Sequence, residues 1–399
     1  MGPAGRLSSG KNGAKRGVGV LLMLLIGVSL TGGWVRAGET FSPHQVISGA
    51  LLQIQKEVPA SKMKWDWEDA ILLHSLALLG EFPAAAGFRN QALNVLNGFA
   101  FEWSHKKVPV VDRADRCPSA LAMLGRDQLT GEPIFRGMTY PVVEFLSKTR
   151  RNTLGSIDHL GSSWMRAFVP ESIWLDSLMM IGVTSVRLGQ AWGDVALVDF
   201  GARQPEIYAS VLRDPEFRLY RHAWLVDWKR PYPASATFWL RGNAWVVWSL
   251  VELLEILPWE HPSRPKMLEL LADLSSALLT YQKGSGLWET VVNLPGYSYE
   301  ETSGSAIVAS QWLRAVRDGF LPATPYHEAA LRTWRGVQSR IESHQDGTIS
   351  VRGISGPTVP GGRLNYKWVG EKVDAPYGVG PVLLLAAEVM AESGKGARP

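Results

Sequence analysis

The chain has 399 residues, 46% hydrophobic and 20% charged, with 40 Gly, 24 Pro, 17 Trp and a single Cys. That is apolar material for one large domain or two ordinary ones, and it excludes a largely disordered protein. The lone Cys117 excludes a disulfide-stapled scaffold, a zinc ribbon and an iron–sulfur protein, each of which needs several thiols. The formal charge of +4 raises a nucleic-acid or anionic-membrane partner, a question settled by where the charges lie.

Residues 1–37 hold Arg6, Lys11, Lys15, Arg16 and Arg36 and no acid. An apolar run over 18–30 follows, and Val35-Arg36-Ala37 sets short residues before Gly38. A basic head, a short apolar stretch and a small-residue exit form a secretory signal peptide. The run is shorter than the roughly 20 residues that span a bilayer, so an uncleaved anchor is the lesser alternative. Removing those five cations takes the net charge from +4 to −1. The expectation is an exported protein, periplasmic or extracellular in a bacterium. No nucleic-acid partner, and no membrane partner after cleavage, is expected.

Beyond the leader, 38–399 reads as one domain. Apolar residues at helical spacing predict helices over 44–58, 67–80, 88–103, 119–129, 137–146, 174–188, 192–212, 243–257, 264–282, 303–318, 326–343 and 381–393. The best strand pattern is 347–352, a short edge or hairpin piece. No Ser- or Pro-rich linker divides the chain, and no consensus repeat marks a solenoid. About a dozen helices in a chain of this length is the count of an all-α closed double ring, an (α/α)6 barrel.

Five segments pair Trp or Tyr with ionisable residues: Trp65-Asp-Trp-Glu68, Ile173-Trp-Leu-Asp176, His222-Ala-Trp224, Phe238-Trp-Leu-Arg-Gly-Asn-Ala-Trp245 and Tyr299-Glu-Glu-Thr-Ser303. Aromatic faces stack on the apolar faces of sugar rings while polar neighbours bind hydroxyls or a carboxylate. A single Trp is more often core; five such clusters favour a carbohydrate pocket. His-x-Glu-x-x-His, Gly-x-Ser-x-Gly and phosphate-loop motifs are absent, so no metal and no cofactor is expected.

These segments resemble the unsaturated glucuronyl and rhamnogalacturonyl hydrolases of glycoside hydrolase family 105, and more distantly their family 88 relatives. Ser172-Ile-Trp-Leu-Asp-Ser-Leu-Met179 resembles a Trp-Leu-Asp-Gly-Leu motif. The 238–246 segment resembles a Phe-Trp-Gly-Arg-(Ala/Gly)-Asn-Gly-Trp signature. Gly286-Leu-Trp288 with 299–305, and Val373-Asp-Ala-Pro-Tyr-Gly-Val-Gly380, follow in the family's order. The resemblance implies an (α/α)6 barrel. It also implies a substrate left by a polysaccharide lyase, an oligosaccharide ending in a 4,5-unsaturated uronic acid. A carboxyl group protonates the enol ether at carbon 4, water adds at carbon 5, and the hemiketal opens. One carboxyl does this if an enclosed, partly apolar site raises its pKa.

On this resemblance Asp176 is the acid and base; read alone it would be a helix N-cap. The second carboxylate is Asp115, the closer to Cys117-Pro118, with Asp112 as the alternative. Asp158-His159 reads as loop. Trp67, Trp174 and His222 are substrate-binding candidates, and Arg166 stands where the family often carries a basic residue. Arg241 and Trp245, four apart on one helix face, suit a carboxylate contact and a stacking platform. Ser177, Leu240 and Ala244 stand where the family has Gly, which predicts a narrower pocket. An inverting glycosidase pairing Glu68 or Glu301 with Asp176, and a non-catalytic sugar-binding relative, are the other readings.

Overall fold

The computed structural model describes residues 40–107 and 109–395, together with Gly2; the signal peptide expected over 1–37 lies, but for Gly2, outside the described residues. Helices are α1 (Pro43–Glu57), α2 (Trp67–Glu81), α3 (Arg89–Ser104), α4 (Ser119–Thr130), α5 (Tyr140–Lys148), α6 (Thr184–Trp192), α7 (Val195–Leu212), α8 (Leu240–Ile256), α9 (Arg264–Thr280), α10 (Thr302–Arg317), α11 (Ala323–Gln338), the short α12 (Arg363–Lys367) and α13 (Pro376–Lys395). Local chemistry sets many of their ends. Ser42 and Gln45 form a reciprocal capping box on α1, with Pro43 at its first position. Gly131 ends α4 in the left-handed region.

Two concentric rings result. The inner ring runs α2, α4, α6, α8, α10 and α13, each packed on the next, and α13 closes it against α2. Of the outer helices, α1 packs on α13, α3 on α2 and α4, α5 on α6, α7 on α6, α9 on α8 and α11 on α10. This is the (α/α)6 barrel expected from the helix pattern. A helix in the inner ring has neighbours on every side, so its apolar stripe widens to the whole circumference. Accordingly α8 buries every residue from Leu240 to Leu254, and α10 every residue from Thr302 to Ala315.

The buried ionic groups inside the ring are paired. Glu252 of α8 is completely buried and accepts hydrogen bonds from His74 of α2 at 2.8 Å, Arg187 of α6 at 2.5 Å and Trp248 at 2.7 Å. Three inner helices are thereby pinned at one level. Glu255, Arg314, Arg317 and Glu388 continue this ionic layer around a cavity of about 350 Å³.

The strands are short pieces in the connections. They are β1 (Ser172–Trp174), β2 (Ala223–Leu225), β3 (Arg230–Tyr232), β4 (Trp288–Glu289), β5 (Glu300–Glu301), β6 (Ile341–Ser343), β7 (Ile349–Val351), β8 (Ile354–Ser355) and β9 (Glu371–Lys372). β1, β2 and β3 form an antiparallel sheet with Trp174 opposite Ala223 and Ala223 opposite Tyr232. The other six pair in chain order as two-stranded ribbons.

Three helix expectations need correction. Residues 174–188 do not form one helix from Trp174, because Trp174 ends β1 in backbone pairing with β2. A turn through Asp176 and a π-helical segment Leu178–Val183 precede α6. Trp192 ends α6 rather than opening α7; Gly193 turns left-handed there and the Asp194 side chain caps α7. The helix over 326–343 stops at Gln338, because 341–343 pairs with the predicted 347–352 strand to make the β6–β7 hairpin.

Candidate active site

Residues at or just before the starts of the six inner helices form a chain of contacts. Asp66 and Glu68 open α2, Asp115 precedes α4, Asp176 precedes α6, Trp239 and Arg241 open α8, Glu301 caps α10, and Tyr377 opens α13. Arg113 pairs with Asp66 at 2.5 Å and with Asp115 at 3.4 Å. Arg241 lies 4.9 Å from the ring centres of both Trp239 and Tyr377, and Trp67 packs on Tyr377 at 4.7 Å. Helix N-termini carry unpaired N–H groups and partial positive charge, which is why carboxylates gather there. Glu301 is consumed in that role: its carboxylate accepts from Ser303 and Gly304 N–H at 3.0 and 2.5 Å, and from Ser355 N–H at 3.0 Å.

Asp176 is held differently. Its side chain caps no helix; it meets His222 Nε2 at 3.1 Å. The β1–β2 pairing sets this up, with Leu175 N–H donating to the His222 carbonyl at 2.9 Å just beyond the register pair Trp174–Ala223. His222 Nδ1 faces the Tyr366 hydroxyl at 3.0 Å, and that hydroxyl accepts from Gly361 N–H at 3.1 Å. Tyr366 therefore spends its proton on Nδ1, and His222 donates Nε2–H to Asp176. The imidazole stacks on Trp239 at 4.4 Å. Gly242 is required beneath this stack, since a Cβ there would come within 2.7 Å of the Trp239 ring and 3.1 Å of Leu175.

A second imidazole lies on the other side of Trp174. His159, fully buried, stacks on the Trp174 indole at 4.1 Å with the planes 12° apart. Its Nδ1 meets Ser177 Oγ at 2.8 Å and its Nε2 meets Asp115 at 3.4 Å. Backbone bonds from His159 N–H to Ser172 and from Ala114 N–H to His159 stitch the three loops together. Gly161, at φ +52°, allows that approach, because a Cβ would fall 2.3 Å from the Asp112 carbonyl oxygen.

The two histidines are shifted in opposite directions. Burial pushes the His222 imidazolium down, and its hydrogen bond to Asp176 does not make up the loss, so it is neutral. Burial also penalises His159, but Asp115, Asp176 and Asp158 together outweigh it and its pKa rises. For Asp176, burial pushes up, while the hydrogen bond and attraction of the His222 N–H and the attraction of His159 bring the carboxyl below its ordinary range. The raised value expected of an enclosed acid is therefore not what the resting site produces. Burial raises Asp66 and Glu68 instead.

The family model for Glycosyl Hydrolase Family 88 matches residues 49–392. The chain belongs to that family. It is 27% identical over 348 residues to the unsaturated rhamnogalacturonyl hydrolase YesR of Bacillus subtilis (strain 168), covering 87% of this chain and 96% of YesR. Two solved structures share the fold. A family 105 glycoside hydrolase of C. acetobutylicum superposes with a TM-score of 0.72 at 22% identity, covering 87% of this chain and 98% of its own. The unsaturated glucuronyl hydrolase of Bacillus sp. GL1, described as responsible for the degradation of glycosaminoglycan, gives 0.67 at 18%, covering 88% and 97%.

Within this family 88 barrel, the residues singled out by sequence fall into two groups. Asp176, His222, Trp174 and Asp115 form one cluster. Between the two earlier candidates, Asp115 reaches the cluster through His159, whereas Asp112 pairs with Arg113 and Arg116 and accepts Ser162 N–H on its carbonyl. Trp67 and Arg241 flank the cluster through Tyr377 and Trp239. Arg241 is not an open guanidinium: it is fully buried and donates to Ser355 and Gly356 carbonyls at 2.8 Å each, leaving only Nε without a partner. Trp245 is not an open platform, because it is fully buried beside Trp248 at 5.7 Å; its indole N–H also lacks a partner. Arg166 is bound to Asp158 at 2.6 Å and to the Val169 carbonyl at 2.7 Å.

Sequence reading missed His159 and Tyr366. Asp158-His159 does lie in a loop, yet the imidazole is a buried member of the site. Its nearness to the Trp-Leu-Asp motif was the available signal. Tyr366 comes from the short α12, which no periodicity marks. Among the described residues no group of three His, Cys, Asp or Glu side chains converges as a metal site.

Proposed function

We propose that this chain hydrolyses oligosaccharides that end in a 4,5-unsaturated uronic acid, with Asp176 as the proton donor and acceptor. The observation that carries this is the chain Gly361–Tyr366–His222–Asp176: it fixes one carboxylate, oriented by a neutral imidazole, in a mouth walled by Trp174 and Trp239. Family membership and the likeness to YesR support the same reaction class.

In this reading the substrate's own carboxylate enters the site and competes for the positive potential that holds Asp176 ionised. A second carboxylate in a dry site raises the pKa of the first, so Asp176 takes up a proton in the complex. It delivers that proton to carbon 4, then accepts one from the water that adds to carbon 5. The C5 hemiketal opens, the bond from carbon 1 to the leaving oxygen breaks, and that oxygen takes a proton. One water is consumed overall. Asp115 acts through His159, the imidazole stacked on Trp174 whose pKa it raises. Trp67, Trp174, His222 and Arg241 bind the terminal sugar, Arg241 through its free Nε–H and its field.

The test follows the ultraviolet band of the conjugated uronate with an unsaturated disaccharide. The band is lost with the wild-type protein and persists with Asp176→Asn. Full activity in Asp176→Asn, or cleavage of a saturated glycoside with the band intact, would sink the assignment. The basic leader further supports export to a periplasm or exterior. Terminal sequencing of protein recovered from those fractions should find a start at Gly38; a start at Met1 would refute cleavage.

A further inference from the structure

We infer that the leaving-group side of the site is built for an uncharged group with a flat apolar face, a phenyl-type ring being its simplest form. The inference rests on the hydrolase reading above. Trp174, whose indole stacks on His159 two residues from Asp176, is also a wall of a separate cavity of about 580 Å³. Other parts of that wall come from Trp164 and Phe168 in the loop before β1, Trp228 from the β2–β3 turn, Tyr232 at the end of β3, and Val359. Antiparallel pairing of β1, β2 and β3 holds these pieces around one opening.

The exposures are what a closed core would not tolerate. Trp164 is 76% exposed, Phe168 79% and Trp228 55%. Large aromatics on the rims of a cavity that shares its Trp174 wall with the candidate site mark a binding groove. Its chemistry narrows the occupant. No residue lining the cavity is charged, and Arg166, next to the lining residue Met165, is already bound to Asp158 and the Val169 carbonyl. Arg230 lies over Trp228 at 4.9 Å and is outside the lining. Side-chain hydrogen-bonding groups in the wall are limited to indole N–H groups and the Tyr232 hydroxyl, and the Trp174 N–H is already donated to Ser172. A sulfated or carboxylated leaving sugar would lose its water here without a cation in exchange. An apolar face would stack on the rings.

Three substrates sharing the same unsaturated uronyl group test this: a methyl glycoside, a benzyl glycoside and a glycoside of a sulfated amino sugar. Methyl and benzyl alcohols are similar leaving groups, so a difference reports binding. The wild-type protein should turn over the benzyl compound with kcat/KM roughly tenfold or more above the methyl compound, mainly through KM, and the sulfated one least well. A Trp164→Ala/Phe168→Ala variant, and separately Trp228→Ala, should each erode the benzyl advantage while leaving methyl turnover unchanged. Equal efficiency on methyl and benzyl compounds, a benzyl preference that survives both variants, or a preference for the sulfated sugar overturns the groove proposal alone. No turnover of the methyl or benzyl compound overturns the hydrolase reading, and the groove proposal with it.

Discussion

Replacing His222 with Phe is the sharpest perturbation of the site. Phe keeps a flat ring against Trp239, where the imidazole now stacks at 4.4 Å, and removes the 3.1 Å hydrogen bond to Asp176. That bond favours the charged carboxylate, so its loss raises the Asp176 pKa. A hydrogen bond to a charged group contributes about 1.5–3 kcal/mol, and about 1.4 kcal/mol corresponds to a tenfold change in a proton-binding constant. If protonated Asp176 is the form that reacts, the falling limb of kcat/KM against pH moves about one to two pH units to the alkaline side. Maximal kcat should fall as well, because the carboxyl loses its orienting partner. Initial rates of ultraviolet loss between pH 4 and 8 measure both effects. The sign decides the matter, since a purely structural role for His222 lowers the whole profile without displacing it. A limb that stays in place or moves acid would refute the reasoning.

Other perturbations separate roles that the structure assigns to neighbouring residues. Asp115→Asn should lower kcat by about a hundredfold while Asp112→Asn stays near wild type in the same rate assay; equal losses would undo the distinction drawn from His159. Glu252→Ala leaves Arg187 and His74 without their buried partner and should cost about 3–5 kcal/mol in urea unfolding. The folded Glu252 carboxyl lies well below its ordinary range, with burial opposing and Arg187 and His74 prevailing. Its contribution is therefore present above the unfolded glutamate value near ~4.3 and lost as pH falls through the folded one, so acid should narrow the gap between variant and wild type. Trp245→Phe should lower stability and leave KM unchanged; a raised KM at unchanged stability would restore Trp245 as a stacking platform.

The barrel was legible because an inner helix advertises itself. Segments such as 243–257 are apolar nearly all round, and each outer partner shows a stripe, so counting them yields the double ring. The segments rich in Trp and acid located the mouth for a related reason: inner helices must start somewhere, and carboxylates are stabilised at those starts. What was not legible depends on pairing across long sequence separations. Trp174 looks helical by spacing, yet its backbone is claimed by residue 223, which no local pattern reveals. Arg241 and Trp245 sit on one helix face as expected, but whether a face looks into a cavity or a wall depends on 355–358 folding over it. The charge of His159 depends on three acids drawn from two loops and a turn, and its neutral counterpart His222 depends on a tyrosine 144 positions away.

How residues 38–399, of net charge −1, would bind the anionic sugar of the proposed reaction is then a local problem. The inner-helix starts supply positive potential, but Asp66, Glu68, Asp115, Asp176 and Glu301 have already been drawn to it, and Arg113 is divided between Asp66 and Asp115. What remains for a substrate carboxylate is His159, whose pKa is raised by the acids around it, and the unpartnered N–H groups of Trp239 and Arg241 at the start of α8. His159 is also one of the two imidazoles, with His222, that hold the Asp176 carboxyl below its ordinary range. The arrangement therefore couples binding to protonation: a substrate carboxylate that takes up this potential removes what kept Asp176 below its ordinary range, and the acid is formed when there is something to protonate. A neutral analogue lacking that carboxylate would leave Asp176 ionised, and it should bind without being hydrated even where its ring and double bond are the same.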